Sequence, residues 1–136
     1  MIKFLIADDH EIIRTGIRHI LLEEFAFAEI GEACDTSSLI ETAAAQNWDL
    51  IISDISMPGG GGLVALKDIL EKKPDQKVLI ITVYPEDQYA VRVMNAGALG
   101  FLNKDTAPEK LIYAVKMILE GQRYLPPSLA DKMPGR

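Results

Sequence analysis

The stretch Ile2-Lys3-Phe4-Leu5-Ile6-Ala7-Asp8-Asp9 indicates the class of fold. Its apolar residues follow one another with only Lys3 between them, which is typical of a parallel strand that is covered on both faces. Two carboxylates come directly after the strand. In open α/β sheets, ligands bind at the carboxyl ends of the strands, so the two acids mark this end of the sheet as a candidate site.

Short apolar runs and segments of helical period alternate along the chain as far as residue 121. The predicted strands after the first span 27–34, 50–53, 77–82 and 100–103, and the predicted helices span 11–23, 35–46, 62–72, 86–96 and 108–120. Because crossovers between parallel strands are right-handed, this order places helices on both faces of one sheet. The sequence therefore predicts an α/β fold: a flavodoxin-like, doubly wound, five-stranded parallel sheet of order 2-1-3-4-5 with (βα)5 topology.

The spacing of apolar residues also predicts which side chains are buried. The core face of the first helix is predicted to consist of Ile12, Ile13, Gly16, Ile17, Ile20 and Leu21. Arg14, Arg18 and His19 then point outward. The single cysteine, Cys34, excludes an intramolecular disulfide and is interpreted as a small buried apolar residue.

The chain of 136 residues fits one domain, since single cores usually run to roughly 100 to 150 residues. Residues 1–121 carry the periodic pattern, whereas residues 122–136 lose it and gain prolines, which predicts a linker. With 49% hydrophobic and 25% charged residues, the composition is that of a water-soluble globular protein. The sequence has no membrane-length apolar run and no secretory signal at its start, and a cytoplasmic location without membrane contact is expected.

The net charge of −6, from 14 basic and 20 acidic residues, argues against direct nucleic-acid binding by this chain. Neutralising phosphates requires a clustered basic surface. The adjacent Lys72 and Lys73 are interpreted instead as the solvated end of a helix.

Polar residues interrupt the predicted strands at their carboxyl ends. Asp8 and Asp9 follow the first strand, Asp54 follows the third, Thr82 closes the fourth and Lys104 follows the fifth. Three carboxylates in one crevice repel one another and raise each other's pKa unless a cation compensates. Oxygen ligands of this kind favour Mg²⁺, and the lack of a cysteine or histidine cluster in the sequence argues against zinc.

Together these residues predict phosphoryl transfer. Asp54 would act as the nucleophile and form an acyl phosphate, while the metal and Lys104 offset the charge that develops on the equatorial oxygens. The hydroxyl of Thr82 can hydrogen-bond a phosphoryl oxygen. His10 is interpreted as a loop histidine that precedes the first helix, and a position near the metal is the alternative.

Two other classes of protein share part of this pattern. Phosphatases and phosphotransferases of the aspartyl-phosphate type usually place a second acid two residues after the nucleophile, where this chain has Ser56. A nucleotide or flavin module would need a phosphate-binding loop after the first strand, and Asp8-Asp9-His10 is the opposite in charge.

The sequence resembles the receiver domains of response regulators in two-component signalling, and most of all the subgroup with a LuxR-type helix-turn-helix. The motifs that carry the resemblance are Ile6-Ala7-Asp8-Asp9-His10, Ile52-Ser53-Asp54-Ile55-Ser56-Met57-Pro58-Gly59, Ile81-Thr82, Asn95-Ala96-Gly97-Ala98 and Gly100-Phe101-Leu102-Asn103-Lys104-Asp105. Their order and spacing cover residues 2 to about 121. Each motif is weak alone, but the set is specific.

The resemblance implies a role for each of these residues. Asp54 would be the phosphoacceptor, and Asp9, Asp54 and the main-chain carbonyl of Ser56 would hold Mg²⁺, with Asp8 assisting through water. Thr82 and Lys104 would grip the phosphoryl group. Phe101 would change rotamer as Thr82 moves inward, in a population shift between two states of a surface.

The resemblance also implies what surrounds the domain. A sensor histidine kinase would supply the phosphoryl group, and the switched surface would control a DNA-binding effector domain beyond residue 136. A stand-alone receiver that acts through protein contacts is the alternative. In either case the protein would be a signalling phosphoacceptor, catalysing only its own phosphorylation and dephosphorylation, and not an enzyme acting on other substrates.

Some positions depart from the pattern of the family. Gly59-Gly60-Gly61-Gly62 replaces an apolar residue and the Asp, Ser or Asn that would cap the third helix. Restoring a cap with Gly61→Asp is therefore expected to raise the melting temperature. Phe101 stands where many receivers have Tyr, and Asp105 stands where Pro is frequent.

Four aromatic or apolar side chains suggest contact surfaces. On the fifth helix, Tyr113 and Met117 are predicted to point away from the core, so that the tail, an effector domain or a second copy in a homodimer would cover them. Tyr84 and Tyr89 flank the start of the fourth helix and are candidates for reporting phosphorylation to a partner.

Overall fold

The structure, a computed structural model, describes residues 1–83, 86–106 and 108–125, and for residues 86–89 it describes the backbone alone. Strands and helices alternate through this part of the chain. The strands are β1 Lys3–Ala7, β2 Glu29–Ala33, β3 Leu50–Asp54, β4 Val78–Thr82 and β5 Gly100–Asn103. The helices are α1 Glu11–Glu24, α2 Thr36–Ala45, α3 Gly61–Lys72, α4 Glu86–Asn95 and α5 Pro108–Leu119. The predicted alternation is confirmed, with helix ends within one residue of the prediction.

The strands form one parallel sheet in the order β2-β1-β3-β4-β5, as predicted. Its register sets Ala7 beside Ser53 and Asp54 beside Ile81, so β1, β3 and β4 reach the same edge of the sheet together. The chain reverses its direction of winding between β1 and β3. That switch point is where doubly wound sheets open a ligand crevice.

Both faces of the sheet are buried because successive side chains of each strand point to opposite sides. Phe4 and Ile6 pack with α1 and α5, whereas Leu5 and Ala7 pack with α2, α3 and α4. A fully buried side chain of this size stabilises the fold by about 1.5–3 kcal/mol. The unbroken apolar runs of the sequence thus follow from a sheet that lies between two helical layers.

Two of the helix boundaries are set by capping residues. Asp35 is the N-cap of α2: its carboxylate accepts from the Ser38 amide at 2.7 Å, and the Ser38 hydroxyl accepts from the Asp35 amide at 3.2 Å. Gly121 follows α5 at φ +90°, in the left-handed region that favours glycine.

The predicted second strand is too long, and the predicted burial of Cys34, Ile12 and Gly16 is wrong. Phe27 lies before β2 and is 87% exposed, and Cys34 lies after that strand and is exposed, because this edge strand spans only Glu29–Ala33. Ile12 is 81% exposed although its spacing fits the core face of α1. It lies in the first turn, next to the crevice described below.

The interpretation of Lys72 and Lys73 as the end of a helix is confirmed, but Lys73 is half-buried and bonded to other residues of the protein. Its ammonium group donates to the carbonyl oxygens of Ala43 at 2.7 Å and Gln46 at 2.6 Å. Lys73 therefore satisfies carbonyl groups at the end of α2, where a positive charge is favourable. Lys72 is exposed and pairs with Asp68 on its own helix.

After α5 the chain returns to the sheet. Tyr124 forms a parallel bridge with Gly100: its amide donates to Leu99 at 2.8 Å, and its carbonyl accepts from Phe101 at 3.3 Å. The Tyr124 ring stands edge-on to Tyr113, with 6.1 Å between ring centroids. Of the alternatives for covering Tyr113, the tail contact is therefore present, but Tyr113 remains 59% exposed.

Some predictions fall outside the described part of the chain. These are the roles of Tyr84 and of the Tyr89 side chain, and the linker character of residues 126–136. Among the described helices, none combines the length and the apolar character that a membrane span requires.

Candidate functional site

The carboxyl ends of β1 and β3 bring three acids close together, and two of them, Asp9 and Asp54, line a crevice. Asp8 directly follows β1 and is fully buried, and Asp54 is the last residue of β3 and is almost fully buried. Asp9 is partly exposed, with 31% of its side chain accessible. The crevice holds about 420 Å³ and is lined by Asp9, His10, Ile12, Ile13, Asp54, Ser56, Val83 and Lys104.

Lys104 joins two of the acids. Its ammonium nitrogen lies 2.6 Å from Asp8 Oδ2 and 3.2 Å from Asp54 Oδ2. Lys104 lies one residue beyond the end of β5. Its main chain fixes its position, because its amide donates to the carbonyl of Thr82 at 2.7 Å. The sequence predicted this convergence from the strand ends alone.

The electrostatics of the site reflect its burial. Burial raises the pKa of the Asp54 carboxyl above its usual range, and the Ser56 amide and the Lys104 ammonium oppose this rise without cancelling it. Burial lowers the pKa of Lys104, but the hydrogen bond and charges of Asp8 and Asp54 outweigh it, so the net pKa is raised. The lysine therefore stays charged at neutral pH.

His10 precedes the first helix, as predicted, and it also lies beside the acids, as the alternative expected. It is the N-cap residue of α1, and its amide donates to Asp8 Oδ1 at 2.8 Å. Its Nδ1 lies 3.2 Å from Asp8 Oδ1 and 3.2 Å from Asp9 Oδ1. The ligand atoms of Asp8, Asp9 and His10 lie within 4.8 Å of one another.

This donor set fits a hard divalent cation. Carboxylate oxygens predominate, Asp54 adds another from the neighbouring strand, and the crevice is open to water. Mg²⁺ prefers such oxygen ligands and usually keeps several waters. The single imidazole, 66% exposed, does not make the nitrogen-rich and sulfur-rich set that zinc prefers.

Arg14 is a supporting residue that sequence reasoning placed outward. Its Nη1 donates to the main-chain carbonyl of Asp8 at 2.7 Å, and its Nε donates to Glu32 on β2 at 2.8 Å. The hydrogen bond with Glu32 raises the pKa of the guanidinium above its usual value. No local signal could reveal this contact, since Glu32 is 18 residues away in sequence.

The remaining predicted residues lie at different depths. Ser56 lines the crevice, and its amide donates to Asp54 Oδ1 at 3.2 Å. Thr82 is fully buried at the end of β4, beside Asn103 of β5. Phe101 does not line the crevice but is fully buried in the core on the side of α2, α3 and α4.

The arrangement has the parts that phosphoryl acceptance requires. A carboxylate lies at the crevice, a lysine that is charged at neutral pH touches it, and acidic oxygens that fit a divalent cation are adjacent. A doubly wound sheet with these groups at its switch point defines the receiver class of signalling domains. The chain matches the response regulator receiver domain family over residues 4–116 and belongs to it.

Similar proteins agree with this membership. The chain is 36% identical to the response regulator GacA of Pseudomonas aeruginosa over 98% of its own length, and it spans 62% of the length of GacA. Among solved structures, a LuxR-family two-component response regulator from Aurantimonas has a TM-score of 0.88 at 29% identity, covering 95% of this chain and 92% of that one. The isolated REC domain of RcsB from Salmonella enterica, solved with the phosphomimetic BeF₃⁻, has a TM-score of 0.85 at 28% identity, covering 96% of both chains. The chain is thus a receiver with a phosphoacceptor role in two-component signalling.

Proposed function

We propose that Asp54 accepts the phosphoryl group, from a sensor histidine kinase or a small phosphodonor, in a Mg²⁺-dependent reaction. The observation that carries the proposal is the contact of Asp54 Oδ2 with Lys104 at the crevice, at the carboxyl end of β3. Asp8 is the other acid that touches Lys104, but it is fully buried and does not line the crevice. Asp9 lines the crevice, but no contact with the lysine is described for it.

In the proposed reaction, a carboxylate oxygen of Asp54 attacks the phosphorus atom while the bond from phosphorus to the donor breaks. The donor leaves with the bonding electrons, and an acyl phosphate forms on Asp54. Lys104 balances the charge on the phosphoryl oxygens, and the Thr82 hydroxyl donates to one of them. Bound Mg²⁺ would supply further charge neutralisation, held by Asp9, Asp54 and the main-chain carbonyl of Ser56, with Asp8 acting through water.

The proposed response to phosphorylation runs from β4 to β5. Thr82 moves toward the phosphoryl group, and Phe101 adopts another rotamer in the space that opens. Pairing of Thr82 with Asn103, two residues after Phe101, supports a direct mechanical link between the two strands. The effect would be a shift of population between two states of the surface.

For the whole protein we propose that residues 1–121 are the receiver unit, that residues 122–125 pack back onto its sheet, and that the chain after them leads to a helix-turn-helix effector domain. GacA, of which this chain spans 62%, is named as a response regulator and supports this proposal. The exchange of phosphate would take place in the cytoplasm, the receiver would not contact nucleic acid or membrane, and it would form a homodimer as one route to activation. It would catalyse only its own phosphorylation and dephosphorylation.

The test is labelling of the purified protein with acetyl phosphate and Mg²⁺, read by intact mass. We expect one added phosphoryl group that hydroxylamine removes, and none on Asp54→Asn. Asp75→Asn, which removes an exposed acid far from the crevice, is the matched control and should label like the wild type. Equal labelling of Asp54→Asn would refute the assignment, and turnover of many phosphoesters would favour a phosphatase.

A further inference from the structure

The loop after Asp54 is fastened to the start of α2 by one residue, Thr36. The amide of Thr36 donates to the carbonyl of Pro58 at 3.0 Å. Its hydroxyl oxygen accepts from the amide of Gly61 at 2.9 Å and donates to the carbonyl of Gly61 at 3.4 Å. Thr36 is only 2% exposed, so these hydrogen bonds are shielded from water.

This contact replaces the cap that the glycine run lacks. Gly60 is the N-cap residue of α3, at φ +119°, and offers no side-chain acceptor. The first amides of a helix have no partner within the helix, and a buried amide without a partner is costly. Thr36 satisfies one of them from a different helix, 25 residues earlier in the chain.

The same glycines bring the loop against the main chain of the proposed phosphoacceptor. The Gly62 amide donates to the carbonyl of Ile55 at 2.7 Å, and a Cβ on Gly62 would lie 2.2 Å from the carbonyl oxygen of Asp54. Because Gly62 is hydrogen-bonded to Ile55, a displacement of the neighbouring Gly61 amide is expected to displace the main chain at Asp54 and Ile55, and with it the adjoining Ser56. Thr36 is therefore mechanically connected to the residues proposed to react and to hold metal.

We infer that Thr36 is a positioning residue for phosphorylation: its hydroxyl holds the Pro58–Gly61 segment and thereby fixes Asp54 and the Ser56 carbonyl in the reactive arrangement. The inference rests on the proposed function of Asp54. It assigns a role to α2, a helix that contributes no residue to the crevice as described.

The test compares Thr36→Val, which keeps the shape and removes the hydroxyl, with Thr36→Ser, which keeps the hydroxyl. Thr42→Val removes a hydroxyl from the same helix away from the loop and is the matched control. For each variant, the initial rate of labelling by acetyl phosphate is measured against Mg²⁺ concentration, well below every melting temperature. A purely structural role would lower the melting temperature and leave this rate unchanged.

We expect Thr36→Val to label about 10- to 100-fold more slowly, since a displacement of about 1 Å in a reactive group costs that much. Its half-saturating Mg²⁺ concentration should rise, while Thr36→Ser and Thr42→Val stay near the wild type. Should Thr36→Val fail to fold, Thr36→Ala replaces it with the same expectation.

An unchanged rate and Mg²⁺ dependence in the valine variant would overturn the inference alone. If Thr36→Ser labelled as slowly as Thr36→Val, the inference would also be overturned, because the effect would then not come from loss of the hydroxyl. A wild-type protein that takes no phosphoryl group would instead overturn the proposed function, and the role of Thr36 in it.

Discussion

The ammonium group of Lys104 lies closer to Asp8 than to Asp54, at 2.6 Å against 3.2 Å. The shorter contact of Lys104 is thus with Asp8, an acid that does not line the crevice. Through both contacts the lysine links the ends of β1 and β3 to the end of β5. A phosphoryl group on Asp54 would bring new anionic oxygens within reach of the same ammonium. Asp8 and the phosphoryl group on Asp54 would therefore compete for the charge of Lys104.

Removing that charge should affect both stability and reaction. Lys104→Met keeps the length of the side chain but leaves two buried carboxylates uncompensated, so the free energy of unfolding should fall by about 1–3 kcal/mol. Labelling by acetyl phosphate should slow by about 100-fold or more, as when an oxyanion donor is lost. Urea unfolding and intact mass measure the two effects. Adding Asp8→Asn should recover part of the stability; a double variant less stable than Lys104→Met would contradict this account.

Asp54→Asn should make the unphosphorylated protein more stable in metal-free buffer at neutral pH. Burial raises the pKa of Asp54, so its charged form opposes folding above that pKa, and the opposition disappears as pH falls through it. The amide has nearly the same shape without the charge. We expect a rise of a few degrees in Tm by calorimetry, shrinking as pH is lowered, and no rise for Asp75→Asn. A lower Tm for Asp54→Asn at neutral pH would show that its contact with Lys104 outweighs burial.

The structure reverses the expectation that Gly61→Asp stabilises the third helix. Gly61 has φ +87°, which side chains rarely adopt, and a Cβ there would lie 2.9 Å from the carbonyl oxygen of Ile55. Strain of this kind costs about 1–3 kcal/mol, so the free energy of unfolding should fall by that amount. Gly16→Ala is the control, because nothing lies within 4 Å of its Cβ position and an alanine in a helix should add about 0.4–1 kcal/mol. Urea unfolding of both variants gives the comparison; a gain for Gly61→Asp would restore the original expectation.

The N-cap of α2 should make stability depend on acid pH. Hydrogen bonds from the amide and hydroxyl of Ser38 lower the pKa of Asp35. Its contribution is therefore complete above the unfolded-state pKa of about 3.9 and is lost as pH falls through the lower, folded value. Asp35→Asn keeps an acceptor for Ser38 but should flatten this part of the profile of Tm against pH. An identical profile for wild type and variant would mean that other acids dominate.

The fold was predictable because its signals are local. Unbroken apolar runs predicted the strands, and the polar residues at their ends predicted Asp8, Asp54 and Lys104 as site residues. These residues converge because the carboxyl ends of parallel strands lie at the same edge of the sheet. The overlong second strand is a different case, since Phe27 is apolar in sequence but has no neighbouring strand to pair with at the edge of the sheet.

The missed contacts join residues that are distant in sequence. Arg14 reaches Glu32 across 18 residues, and Thr36 reaches Gly61 across 25. Periodicity says which side of a helix faces the core, but it does not say which loop lies at the end of that helix. For the same reason the glycine run indicated a lost cap, whereas the structure supplies the acceptor from α2.

The return of Tyr124 to the sheet bears on how this protein can be handled. The outer edge of β5 would otherwise present free amide and carbonyl groups, which invite pairing with the strands of other molecules and lead to aggregation. Tyr124 satisfies the amide of Phe101 and the carbonyl of Leu99 on that edge. A shortened version that stops at the end of α5 would lose this cover. Truncations intended for crystals or for display should therefore retain the chain through Leu125 if they are to stay dispersed in solution.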